Sequence, residues 1–152
     1  MIFEIPNREI LTIKNIILDM NGTITVRGKL VKGVAKRLHL LEKMGYNITL
    51  LTGDQRGNAH NLCKKVGINY KICKNSDEKE QAILNLEPEN CAAIGNARID
   101  IGMFKHAKLS ILVIEGEGIH VETISFCNII VKSINDALDL FIDKNSLIAT
   151  MK

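Results

Sequence analysis

The chain has 152 residues, of which 46% are hydrophobic and only 4% aromatic, and this size and composition suit one α/β domain over residues 1–152. Its 20 basic and 17 acidic residues give a formal net charge of +3 without a block of like charge, which argues against nucleic-acid binding. No apolar run reaches the ~18 residues of a membrane span, so we do not expect the chain to enter a membrane. The four cysteines lack C-x-x-C spacing, and we expect them to be reduced thiols of a cytoplasmic protein.

Strand-like and helix-like patterns alternate along the first half of the chain. Two short apolar segments around Asn7 and Arg8 predict an N-terminal hairpin, and the run "NIILD" that ends at Asp19 predicts a strand covered on both faces. Apolar residues at helical spacing then predict one helix that ends at Gly45 and a second that ends at Gly67. The run "YNITLLT" between these helices predicts another strand.

The second half continues the alternation. The segment "NYKIC" predicts a strand, and Ser76 is predicted to cap a helix that runs to about Leu86. Strands are predicted at "CAAIG", "LSILVI" and "CNIIVK", and helices over 97–106 and after Ser133. Because strands joined by helices form parallel sheets, we predict a Rossmann-like three-layer sandwich with a mostly parallel central sheet.

Polar residues follow the predicted strands at their carboxyl ends, where sheets of this kind bind ligands. Asp19 ends one strand, and Thr52 and Gly53 end another. A carboxylate in this position can attack phosphorus, and a hydroxyl group and a backbone N–H can bind phosphate oxygens. Asp19 before Asn-Gly also fits ordinary turn chemistry, and Thr52-Gly53-Asp54 also fits the start of a helix.

Oxygen ligands and a lysine complete this candidate site. Asn96 and Asp100 follow a third strand and supply oxygens of the kind that Mg²⁺ prefers. Lys79 lies in the first turn of a predicted helix, where it could neutralise a phosphate, and Lys74 competes for the same role. Asp100 also fits a surface carboxylate paired with Arg98 or Lys105.

Four motifs occur in a fixed order: "DMNGTIT", "LLTGD", a lysine at the head of a helix, and "IGNARID". They resemble the motifs of the haloacid dehalogenase-like (HAD) superfamily, and "TGD" followed by a helix and "VGI" resembles the phosphorylation domain of P-type ATPases. Nearly the whole chain looks like the small soluble P-type-ATPase-like HAD proteins. The resemblance implies an HAD-like core and a Mg²⁺-dependent phosphohydrolase.

The first motif would supply the nucleophile. The resemblance implies that Asp19 forms an aspartyl phosphate and ligates Mg²⁺ together with the backbone carbonyl of Asn21. HAD phosphatases usually have an Asp at this second position, which acts as general acid and base. Because the amide of Asn21 cannot exchange a proton at neutral pH, and such catalysis contributes ~10²–10⁴-fold, we expect a slow phosphatase or ATPase-like enzyme.

The remaining motifs would bind phosphate and metal. The resemblance implies that Thr52 and Gly53 bind the phosphate and that Lys79 stabilises it. Asn96 and Asp100 stand where the family has its metal-binding acidic pair.

The fourth motif departs from the family's pattern. Asn96 replaces a charged metal ligand and Ile99 replaces an amide, so we expect weak Mg²⁺ binding. The alternative is a catalytically weak or inactive HAD scaffold with a binding or assembly role. A phospho-Asp receiver domain fits poorly because no acidic pair precedes Asp19.

The spacing of the motifs also bears on access to the site. The intervals from Thr25 to Thr52 and from Thr52 to Lys79 leave no room for a cap domain. An open site implies a phosphorylated substrate that is large or macromolecular, or a homodimer or homotetramer in which a neighbouring subunit covers the site. The segment "VRGKLVKG" could form a short flap.

Overall fold

The protein is described by a computed structural model that covers all 152 residues and contains ten strands and six α-helices. The strands are β1 (Ile2–Phe3), β2 (Leu11–Thr12), β3 (Asn15–Leu18), β4 (Thr25–Val26), β5 (Lys29–Leu30), β6 (Asn47–Thr52), β7 (Asn69–Ile72), β8 (Cys91–Gly95), β9 (Leu109–Val113) and β10 (Ile129–Val131). The α-helices are α1 (Val34–Lys43), α2 (Ala59–Val66), α3 (Ser76–Leu84), α4 (Ile101–Phe104), α5 (Ile134–Ile142) and α6 (Lys144–Met151). Short 3₁₀ helices lie at Pro88–Asn90, Arg98–Asp100 and Val121–Phe126.

Six strands form a parallel sheet in the order β10-β9-β8-β3-β6-β7. The pairs β1–β2 and β4–β5 are separate antiparallel hairpins. The predicted three-layer α/β sandwich with a mostly parallel sheet and an N-terminal hairpin is therefore confirmed.

The central strand β3 is buried on both faces, as its continuous apolar sequence predicts. Successive side chains of a strand point to opposite faces. Ile16 and Leu18 accordingly belong to a core of 29 buried residues, while Ile17 belongs to a second core of 10. Helices α1, α2, α5 and α6 contribute to the larger core, and α3 and α4 cover the other face.

Three details of the helices differ from the sequence predictions. Ser76 does not cap α3: it is the first helical residue, and the cap is Asn75, whose side chain accepts a 2.8 Å hydrogen bond from the Glu78 backbone N–H. The helix predicted over 97–106 is a 3₁₀ turn followed by the short α4. Helix α6 was not predicted as a separate element. The cap of α5 is confirmed, because the Ser133 hydroxyl accepts a hydrogen bond from the Asp136 backbone N–H.

The connections around β3 and β6 hold no inserted domain. Between β3 and β6 the chain forms only the β4–β5 hairpin and α1, and between β6 and α3 it forms only α2 and β7. The site at the sheet edge is therefore uncapped by this chain, as the motif spacing predicted. None of the helices has the length and apolar character required to cross a membrane.

Candidate active site

The order of the strands creates a crevice next to β3. The chain passes from β3 to β6 and β7 on one side, and returns to β8, β9 and β10 on the other. Ligands of open α/β sheets bind where the direction of the strand order reverses, beyond the carboxyl ends of the strands. Asp19 follows β3 at this point, and its backbone N–H donates to the Ile94 carbonyl of β8 at 2.9 Å.

Helix α3 delivers Lys79 to Asp19. The cap at Asn75 fixes where α3 begins, and Lys79 is completely buried one turn later. Its Nζ lies 2.6 Å from Asp19 Oδ1 and 2.6 Å from Asp100 Oδ1. Of the two candidate lysines, Lys79 is thus the one that contacts the predicted nucleophile, whereas Lys74 forms no ion pair.

Asp100 organises the loop after β8. Its Oδ2 accepts hydrogen bonds from the backbone N–H groups of Asn96 and Ala97, each at 2.8 Å. A Cβ atom at Gly95 would lie 2.4 Å from this oxygen, so the close approach requires glycine. Both carboxylate oxygens of Asp100 are therefore used within the protein. Its pairing with Arg98 or Lys105 is not observed, since the carboxylate binds Lys79 instead.

Thr23 is a residue of this site that the sequence reasoning missed. Its side chain is fully buried, and Oγ1 lies 3.3 Å from Asp19 Oδ2 and 3.2 Å from Asn96 Oδ1. The Asn96 amide nitrogen donates to the Gly118 carbonyl at 2.8 Å. Gly22 has a φ of +80°, and a Cβ there would lie 2.3 Å from the same nitrogen. The sequence signal that could have identified Thr23 is its position directly after Gly22 in "DMNGT". The structure shows that this glycine lets the Asn96 amide come close.

The end of β6 combines a buried hydroxyl with a helix cap. Thr52 is fully buried, and its Oγ1 accepts a hydrogen bond from the Asp54 backbone N–H at 3.0 Å, so its own proton is free to donate. Asp54 Oδ1 accepts from the backbone N–H groups of Asn58 and Ala59, both at 2.9 Å, at the start of α2. The helix-entry role is therefore observed for Asp54, and it leaves the Thr52 hydroxyl proton available.

Burial and the charges of the neighbouring groups together set the pKa values of Asp19 and Lys79. Burial of the Asp19 carboxylate and the charge of Asp100 raise its pKa to about 6, although Lys79 acts in the opposite direction. Burial acts to lower the pKa of Lys79, but the charges of Asp100 and Asp19 outweigh it and the pKa rises. Lys79 therefore remains a cation, and the raised pKa of Asp19 brings the titration of this carboxyl group close to neutral pH.

A cavity of about 400 Å³ opens over this trio. Its lining residues are Asp19, Asn21, Gly53, Gln55, Lys74, Ala97 and Ile99. Thr52, Lys79 and Asp100 are fully buried and do not line it.

The oxygens around the cavity fit a magnesium ion. Asn21 Oδ1 is buried without a hydrogen-bond partner, and the Asn21 backbone carbonyl accepts no hydrogen bond. Asp19 adds a carboxylate beside them, and Asn96 Oδ1 has only the Thr23 hydroxyl as partner. Mg²⁺ binds hard oxygen ligands of these types and keeps several waters. The donor set therefore suits the metal. Asp100, which the sequence also predicted as a ligand, differs from the others because both of its carboxylate oxygens already accept hydrogen bonds within the protein.

Comparison with solved structures shows the same fold in phosphatases. The cobalt-bound deoxy-D-mannose-octulosonate 8-phosphate phosphatase of Haemophilus influenzae has a TM-score of 0.74 at 15% identity, with 86% of this chain and 88% of that chain covered. The 3-deoxy-D-manno-octulosonate 8-phosphate phosphatase of Moraxella catarrhalis, in complex with magnesium, phosphate and the KDO molecule, has a TM-score of 0.68 at 23% identity, with 92% and 94% covered.

Sequence comparison covers shorter stretches. The uncharacterized protein MJ0073 of Methanocaldococcus jannaschii is 48% identical over 60 residues, which are 40% of this chain. The match spans 64% of the length of that relative. The family model for haloacid dehalogenase-like hydrolases matches residues 24–108, a span that includes Thr52, Lys79, Asn96 and Asp100 and begins just after Asp19. The chain belongs to the haloacid dehalogenase-like hydrolase family.

Proposed function

We propose that the protein is a Mg²⁺-dependent phosphohydrolase that acts through an aspartyl phosphate at Asp19. The observation that carries this proposal is the buried ammonium of Lys79, which bridges the carboxylates of Asp19 and Asp100 at 2.6 Å each below an open cavity. The arrangement holds one carboxylate at the cavity wall and one cation behind it, as nucleophilic attack on an anionic phosphate requires.

The proposed reaction has two displacements at phosphorus. A carboxylate oxygen of Asp19 forms a bond to phosphorus while the bond to the leaving oxygen breaks, and the Gly53 N–H at the cavity wall holds a phosphate oxygen. The Thr52 hydroxyl is buried in this structure, and its side chain would have to turn toward the cavity to act as a second donor. Water then attacks phosphorus, releases inorganic phosphate and restores the Asp19 carboxylate. Mg²⁺, held by Asp19, the Asn21 carbonyl and Asn96, would supply the positive charge that lets the two anions approach.

Asn21 makes both displacements slow. It stands where an acid would protonate the leaving oxygen and later accept the proton of water, and the carboxamide can do neither. The leaving group must take its proton from solvent, so esters with good leaving groups are the favoured substrates. A loss of ~10²–10⁴-fold is the ordinary cost of a missing general acid–base catalyst.

The similar phosphatase structures act, by their names, on a phosphorylated sugar acid. For this chain we propose only that the substrate is a phosphomonoester and that the protein acts in the cytoplasm. Because no cap covers the cavity, a large substrate or a neighbouring subunit of a homodimer or homotetramer would exclude water from it. The likeness to P-type ATPases stays a prediction.

The test is hydrolysis of para-nitrophenyl phosphate with and without Mg²⁺. We expect slow, Mg²⁺-dependent release of nitrophenol that Asp19→Asn abolishes, while Asp77→Asn, an equivalent change of an exposed carboxylate on α3, leaves it intact. Beryllofluoride should form an adduct at Asp19, seen as a change in the intact mass under native conditions or in the fluorine NMR spectrum. An Asp19→Asn protein with the rate of the wild type would show that another group is the nucleophile.

A second candidate, a non-catalytic scaffold, is favoured by one observation. The Asn96 amide is satisfied within the protein, by Thr23 on one side and the Gly118 carbonyl on the other. A scaffold would bind neither Mg²⁺ nor beryllofluoride, so the same adduct measurement separates the two functions.

A further inference from the structure

A second cavity adjoins the one above Asp19. It has a volume of about 420 Å³, and Lys74 and Ile99 line both cavities. The remaining wall is formed by the start of α3 and by the segment from Arg98 to Lys105, with Glu122 at its rim. The two cavities therefore adjoin each other at Lys74 and Ile99.

The second cavity is basic. Three cations line it, namely Lys74, Arg98 and Lys105, against the single carboxylate of Glu122. Arg98 Nε lies 3.3 Å from Glu122 Oε2, but the side chains are 75% and 53% exposed, so this pair is weak and easily opened. Lys74 and Lys105 form no ion pair with any carboxylate.

The acidic residues of the neighbouring elements do not neutralise these cations. Glu78, in the first turn of α3, does not line the cavity, and its carboxylate accepts hydrogen bonds from the Lys74 backbone N–H at 2.7 Å and from the Asn75 amide at 3.2 Å. Asp77 does not line the cavity either. Lys105 Nζ lies 5.8 Å from the centre of the Phe126 ring, which positions the ammonium without cancelling its charge.

We propose that this basic cavity is a subsite for a second anionic group, a carboxylate or a second phosphate, on the leaving group of the phosphomonoester. The inference rests on the proposed function, because it assumes that the reacting phosphate lies above Asp19. A substrate anchored there must extend its leaving group out of the first cavity, and the second begins where the first ends. Ile99 and Ile101 supply apolar contact for the carbon skeleton between the two anions.

The position of Ile99 explains its place in this chain. At the sequence level an isoleucine in the fourth motif indicates only the loss of a polar group near the metal. In the structure it forms part of the wall shared by the two cavities, where an apolar side chain contacts a carbon skeleton at no desolvation cost. An isoleucine at position 99 is therefore suited to a substrate that spans both cavities.

The experiment measures binding to the Asp19→Asn protein with Mg²⁺ by calorimetry, and kcat/KM with the wild type. Two matched pairs of ligands are compared: phosphoglycerate with glycerol phosphate, and a hexose bisphosphate with the hexose monophosphate. The first pair tests a carboxylate and the second a phosphate as the second anion. We expect the member with two anionic groups to bind about tenfold more tightly in at least one pair, as a charge-assisted hydrogen bond provides.

The subsite is tested separately with Lys105→Gln. We expect the preference for the doubly anionic ligand to fall about tenfold, with a further fall on adding Arg98→Gln. Lys64→Gln is the matched control, because it removes the same charge from an exposed position of α2, on the opposite face of the sheet. In the Lys64→Gln protein, the ratio of the affinities for the doubly and the singly anionic ligand should equal that of the parent protein.

The outcomes separate this inference from the proposed function. Turnover without any preference in either pair, or a preference that Lys105→Gln and Arg98→Gln leave unchanged, overturns the subsite alone. A preference that both variants reduce, in a protein without turnover on any substrate, supports the subsite and overturns the proposed hydrolysis. Absence of both turnover and preference overturns both.

Discussion

The most direct test of the buried trio is Lys79→Met. The change keeps the length of the side chain but leaves the carboxylates of Asp19 and Asp100 buried without a cation, since Lys79 is the one positive group within 4.0 Å of either. All three side chains are at most 7% exposed, so water cannot replace the ammonium. Removal of one partner from a buried ion pair costs about 3–5 kcal/mol. That is a large part of the 5–15 kcal/mol by which a domain is typically stable.

The assay is equilibrium unfolding in urea at neutral pH and at about pH 5. Without Lys79 the pKa of Asp19 should rise above its value of about 6, because the charge that opposed burial and Asp100 is gone. A carboxyl group whose pKa is raised by folding adds stability when it is protonated, so the deficit of the variant should shrink as the pH falls. Lys14→Met, which breaks the exposed pair with Glu87, is the control and should leave the stability close to that of the wild type. A Lys79→Met protein as stable as this control at neutral pH would refute the account of the trio.

Three further predictions concern the same site. Asn21→Asp should restore the missing acid and base and raise the hydrolysis of an alkyl phosphate by about 10²-fold, measured as phosphate release; an unchanged rate would place the limitation elsewhere. With the pKa of Asp19 raised to about 6, the rate at limiting Mg²⁺ should fall as the pH drops below that value, and saturating Mg²⁺ should move the midpoint of the pH profile lower by favouring the ionised carboxylate. Gly22→Ala should destabilise the protein by about 1–3 kcal/mol in thermal or urea unfolding, because its φ is +80° and the new methyl would meet the Asn96 amide; a stability equal to that of the wild type would contradict the tight approach.

Sequence reasoning identified the parts of the site that depend on strand ends. The apolar run before Asp19 predicted a strand buried on both faces, and the alternation of strands and helices predicted a parallel sheet whose carboxyl ends share one edge, as observed. Thr52 and Asn96 were placed at this edge for the same reason. The family motifs then singled out Lys79 from among the lysines nearby.

Helix caps, and contacts between residues that are far apart in the sequence, could not be predicted from these patterns. Ser76 and Asn75 are both good capping residues, and only the backbone geometry shows that Asn75 has the extended conformation of a cap. Thr23 reads as a turn residue until Asn96 is brought beside it from 73 positions away in the chain. Helix α6 follows α5 without glycine or proline between them, and Asp143 both ends one and caps the other.

The charges of the buried trio argue for a cation that the protein itself does not supply. Two carboxylates, Asp19 and Asp100, share one ammonium, so the ionised trio carries a net negative charge away from water. A purely structural core has no use for this arrangement, because apolar side chains of similar volume are often equally stable or more so. The unpartnered oxygens of Asn21 lie beside the same carboxylate, where a divalent ion would offset its charge. A metal and a phosphate bound above Asp19, as in the function we propose, would offset the cost of burying its carboxylate. The proposed catalytic site would thus account for the trio, whereas a scaffold gives no reason for it.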